Sequence, residues 1–172
     1  AHAIFLLMLG RDAARAVKLA TEGLLAAREA GARRNQVLIS AFLGMALELA
    51  GEPANAESVL RDNLAQAVRL AEPLSISHAK VWLAMVLRCR HDPDAQREAA
   101  QLASEVLATP GANAFYVVAC QCVLASARLF EGDLAGAEAA FVAASPLHAF
   151  LPILHGLALS IQLAVLRTAG RR

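Results

Sequence analysis

Ser40 to Leu60, SAFLGMALELAGEPANAESVL, reads as two antiparallel helices joined at Gly51. Gly44, just after Leu43, is followed seven residues later by Gly51, and Ala56 lies five residues beyond that. This spacing joins a close-packing point on one helix to a second on the next. The same order recurs downstream, where Leu124 and Ala125 are followed by Gly132, Ala137, Phe141 and Ala144. A unit that repeats in this way reads as part of a helical array.

The 172 residues are 58% apolar but only 5% aromatic, with alanine supplying much of the apolar share. Alanine has the best helix propensity and takes little room, so the composition indicates an all-α class with helices packed closely. The length fits one domain over 1–172. A net charge of +1, without long runs of either sign, leaves no electrostatic footprint for nucleic acid. The odd count of three cysteines fits a reducing, cytoplasmic setting better than a disulfide framework. The chain opens inside an apolar run, HAIFLLML, and reads as an excerpt of a longer protein.

Taken in order, 2–9 read as the last turns of a helix closed at Gly10, with a partner from about Asp12 to Ala30 that Gly31 ends. A second pair covers Arg33–Ala50 and Pro53–Ala71, with proline at the first helical position and Pro73 closing the pair. A third covers Ser75–Arg90 and Pro93–Ala108, with Asp92 as N-cap. The fourth covers Asn113–Glu131 and then Asp133 or Leu134 to Ala144, stopped by Ser145 and Pro146. A last helix spans about Leu151–Ala169. Grouped as pairs, the units are about 1–31, 33–72, 74–109 and 112–146, with the final helix at 150–170. The turn positions Gly10, Gly51, His91 and Gly132 lie 41, 40 and 41 residues apart, and Gly170 follows at 38. Such a period is the signature of a solenoid whose helical pairs bury their apolar faces on one another.

The order of small residue, glycine, alanine and aromatic in these units resembles the tetratricopeptide repeat. A period near 41 resembles its longer-helix variety, seen in bacterial signalling ATPases, maltose-activator-type regulators and kinase C-terminal regions. The third unit departs from the pattern, with His91 where glycine is usual and Gln96 where the small alanine belongs. In the first, Ala16 sits six rather than five residues after Gly10. The resemblance implies a right-handed α-solenoid of about four repeats with an inner wall lined by the first helix of each pair. Carried over unit by unit, that wall comprises Leu38, Ala41, Met45 and Glu48; His78, Val81, Met85 and Arg88; and Ala119, Cys122, Ser126 and Leu129. The last helix adds Leu157, Ser160, Ala164 and Arg167. A mostly apolar wall with a few charges suits an apolar helix or extended segment whose polar ends are read by Glu48, Arg88 and Arg167. Methionines such as Met45 and Met85 adapt to irregular partners. The competing reading makes these same side chains core residues. Met85→Glu separates the two, since a groove residue tolerates it and a core residue does not.

Cys120, Cys122, Cys89 and His91 are zinc-ligand types. Residues two apart on a helix nevertheless point about 200° from each other, so Cys120 and Cys122 do not converge on one ion. They read as buried thiols. His78, His91, His148 and His155 are scattered, no nucleophile has a placed partner, and the glycines sit mostly singly at turns. Neither catalysis, a cofactor nor a metal is expected. The stretch 139–166 lacks charged residues, but Pro146 and Pro152 interrupt it. The remainder from Ile153 to Leu166 is shorter than the ~20 residues of a membrane span. It reads as a buried terminal helix. The expected function is a non-catalytic interaction scaffold, the regulatory arm of a larger bacterial signalling protein. Its partner is a protein segment or another domain of the same chain, with a small effector or self-association as alternatives.

Overall fold

The computed structural model describes residues 12–111, 113–148 and 167, with side chains through Ala144 and at Arg167. The helices read at 2–9 and 151–169 lie outside the described residues. Within them all regular structure is helical: α1 (Ala13–Glu29), α2 (Arg33–Leu49), α3 (Pro53–Leu70), α4 (Pro73–Leu87), α5 (Pro93–Leu107), α6 (Ala114–Phe130) and α7 (Leu134–His148). Successive helices begin 20 or 21 residues apart. Pro53, Pro73 and Pro93 each open one, at the position where a missing backbone donor costs nothing. Asp12, Asp92 and Asn113 cap their helices by accepting from the amides of Arg15, Ala95 and Tyr116, at 3.2, 2.8 and 3.0 Å.

Three boundaries differ by two residues or more from the sequence reading, the end of α4 at Leu87 instead of Arg90 among them. Pro73 starts α4 instead of closing the preceding pair, because Ala71 ends α3 by adopting the left-handed conformation, φ 53°. At the other end, α7 runs on past Ser145 and Pro146 to His148.

The turns after α1, α2 and α6 are built alike. At the second of them Gly51 takes φ +80° and its amide donates to the Glu48 carbonyl, while the Glu52 amide reaches back to Leu47 at 2.9 Å. Gly31 and Gly132 reproduce this paired bonding, which satisfies carbonyls that a helix end otherwise leaves unpaired. The turn after α4 has no glycine. There α4 stops at Leu87, and the side-chain amide of the buried Gln96 donates to the carbonyls of Arg88 and Arg90 at 2.7 and 2.6 Å. The two departures of the third unit thus belong together: Gln96, standing where a small alanine is usual, supplies the donors that a glycine turn at His91 would have supplied.

The chain divides into two compact units, Ala1–Val86 and Leu87–Arg172. In the first, α1 packs on α2 and α2 on α3. Val37, Ala67 and Ala79 join α2, α3 and α4 in one core cluster that Leu64, Leu70 and Ile76 flank. Gly44 is the point of closest approach between α2 and α3, since a Cβ there would stand 2.7 and 2.8 Å from the Cδ atoms of fully buried Leu60. In the second unit α5 packs on α6 and α6 on α7. Ala99, Ala103, Ala119, Ala125, Ala137 and Ala144 are all fully buried, the close alanine packing that the composition implies.

Candidate functional site

The residues that the resemblance puts on an inner wall fall into two groups. On α2, Leu38, Met45 and Glu48 are half-buried while Ala41 is fully buried. Phe42, also half-buried, stands between Leu38 and Met45, and Leu49, 53% exposed, continues the line. Leu38, Phe42, Met45 and Leu49 follow i, i+4, i+7, i+11 spacing and make one apolar stripe along the helix. Phe42 and Leu49 were absent from the residues expected there, although the spacing that reveals them is written in the sequence.

The stripe meets α4 at an aromatic cluster. The Phe42 ring lies 6.3 Å from His78 and 5.6 Å from Trp82, and His78 and Trp82 are 5.9 Å apart, in edge-on or tilted contact. His78 is buried, and loss of hydration lowers its pKa to about 4, so the imidazole is neutral at physiological pH. Farther along α4, every residue from Val81 to Leu87 is buried, with Val81 1% and Met85 7% exposed. A helix that is apolar on all sides is enclosed on all sides. The structure therefore puts Val81 and Met85 among core residues, and Met85→Glu is expected to unfold the chain instead of leaving it folded with a weakened groove. The sequence KVWLAMVL carries no polar face from which this could have been told apart.

In the second unit Arg88 is half-buried, and its Nε is shut away from solvent with no hydrogen-bond acceptor. Its charge acts on Cys122, which is 1% exposed. Burial pushes the Cys122 thiol up to about 11 despite Arg88, and burial together with Cys122 pushes Cys120 to about 12. Both thiols are protonated near neutrality and serve as small apolar filling instead of nucleophiles. Ser126 and Leu129 are half-buried on α6. Arg167 is exposed, and Ser160, Leu157 and Ala164 lie outside the described residues. Among the described residues no three metal-ligating side chains cluster, and no helix is long and apolar enough to cross a membrane.

No family model, curated protein or solved structure matches the chain. The functional reading therefore rests on the geometry of these residues.

Proposed function

We propose that the chain is a helical-repeat interaction module of the tetratricopeptide-like kind, in which the helical pairs stack as a solenoid and hold an apolar peptide or helix of a partner. The observation that carries this reading is the α2 stripe of Leu38, Phe42, Met45 and Leu49, a row of large, half-buried to exposed apolar side chains along about three turns of the helix. An apolar row at helical spacing is what an amphipathic segment of a partner recognises. The family resemblance makes the setting a regulatory arm in a bacterial signalling protein, with the segment supplied by another protein or by a domain of the same chain.

Selection of a random peptide library on the immobilised protein tests the reading. Enriched peptides are expected to carry apolar residues at helical spacing and to lose binding to Met45→Glu, whose circular dichroism stays that of the native chain. Leu25→Glu, at an exposed position of α1, is the control and retains binding. Binding that survives Met45→Glu refutes the stripe. Light scattering over a concentration series separates the self-association alternative, because dimerisation abolished by Met45→Glu makes a second copy the occupant.

A further inference from the structure

A cleft of about 490 Å³ opens in the first unit between the start of α2 and the end of α3, lined by Arg33, Gln36, Val37, Gln66, Arg69 and Leu70. It shares no residue with the α2 stripe, and its lining has a different chemistry: two arginines and two glutamines, with half-buried Leu70 and the edge of buried Val37 between them. None of these lining residues is acidic. The carboxylate of nearby Glu72 is already engaged, pairing with Arg34 at 3.4 Å and accepting from the Ser75 hydroxyl. Arg33 and Arg69 have no ion-pair partner among the described residues.

The local helix electrostatics disfavour Arg33 without a counter-charge, whereas Arg69 stands in the last turn of α3, where a cation is favoured. The first turn of α2 carries Arg33 and Arg34 and no acidic residue, and its N-cap, Ala32, has no side chain with which to bind the free amides. The amino end of a helix bears partial positive charge and favours anions, so cations there are disfavoured. Glu72 compensates Arg34. Nothing described compensates Arg33. Gln36 is held in place by donating from Nε2 to the Ala27 carbonyl at 3.1 Å, which fixes one wall of the cleft.

We infer that this cleft binds a small organic anion, a carboxylate or phosphate group carried on an apolar body. The two guanidinium groups and the α2 amino end take the oxyanion, and half-buried Leu70 meets the body. The volume lies within the range of small-molecule sites, and paired arginines match the oxygens of either group.

Calorimetric titration of the whole chain with phenyl phosphate, benzoate, inorganic phosphate and neutral benzamide tests the inference. Saturable binding of phenyl phosphate or benzoate is expected, with benzamide silent and inorganic phosphate weaker. Which of the two binds more tightly identifies the anion class. Arg33→Gln and Arg69→Gln, both at exposed positions, are expected to keep the native circular dichroism and to weaken binding at least about tenfold each. Met45→Glu leaves this binding unchanged, so failure of the peptide reading and failure of this site are read separately. Absence of binding by both aromatic anions, equal binding by benzamide, or binding unaffected by both arginine variants overturns the inference.

Discussion

Gly44→Ala is the sharpest test of the packing, because two large effects oppose each other there. Replacing a helix-interior glycine by alanine gains about 1 kcal/mol of backbone propensity. The added Cβ, however, would stand 2.7 and 2.8 Å from the Leu60 Cδ atoms, where carbon pairs settle at roughly 3.5–4.0 Å. Either α2 and α3 part by about 1 Å or Leu60 leaves its rotamer, and overpacking of this kind costs about 1–3 kcal/mol. Leu60 is fully buried and has no solvent into which to swing, so the upper part of that range applies. The net expectation is a loss of about 1–2 kcal/mol, read as a lower urea midpoint with unchanged slope. Gly23 supplies the control, since a Cβ there meets Ile39 only at 3.7 and 3.8 Å, an ordinary contact. Gly23→Ala therefore gains stability by about 0.5–1 kcal/mol. A double-mutant cycle of Gly44→Ala with Leu60→Ala is expected to show coupling above the ~0.5 kcal/mol scatter of independent sites. If both glycine variants are stabilising, or if the cycle is additive, the close approach of α2 and α3 at Gly44 is refuted.

Three further outcomes follow from buried polar groups. Gln96→Ala strips the carbonyls of Arg88 and Arg90 of their donors, and a loss of about 1–3 kcal/mol is expected, with faster amide exchange confined to the end of α4. His78 binds its proton less readily folded than unfolded, so between pH 6.5 and about 4 the unfolded chain holds more protons and stability falls as pH falls. His78→Phe is expected to flatten the urea midpoint across that window relative to the parent. With a thiol reagent at pH 8, the native protein is expected to react at exposed Cys89 only, and Cys120 and Cys122 to react on unfolding.

Helices were legible because glycine and proline punctuate this chain, each for its own conformational reason. Gly31, Gly51 and Gly132 are needed in the left-handed region, and they end helices where expected. Pro73 was ambiguous for the same reason, since a proline follows one helix as readily as it opens the next, and Ala71 had already made the turn without a glycine. The candidate face was only partly legible. On α2 the i, i+4, i+7, i+11 spacing of Leu38, Phe42, Met45 and Leu49 marks the half-exposed stripe, but on α4 large apolar residues occur on every side. Periodicity then has no phase, and only burial distinguishes Met45 from Met85. The role of Gln96 was hidden differently. A repeat pattern registers it as a misfit, whereas its function depends on the carbonyls within reach of its amide.

The places where local rules fail carry the most functional weight. A chain this consistent in alanine packing and turn chemistry gains nothing structural from Arg33 at the positive end of α2. Its charge there lowers the stability of the isolated fold, and the inferred anion would relieve it. Arg34 shows the contrast, because it occupies the same disfavoured turn yet is compensated internally by Glu72. If Arg33 served only solubility, Arg33→Gln would raise stability through relief at the helix end and would leave ligand binding untouched. A binding role requires that same variant to gain stability and lose the anion together, a coupled change that neither solvent exposure nor packing produces alone.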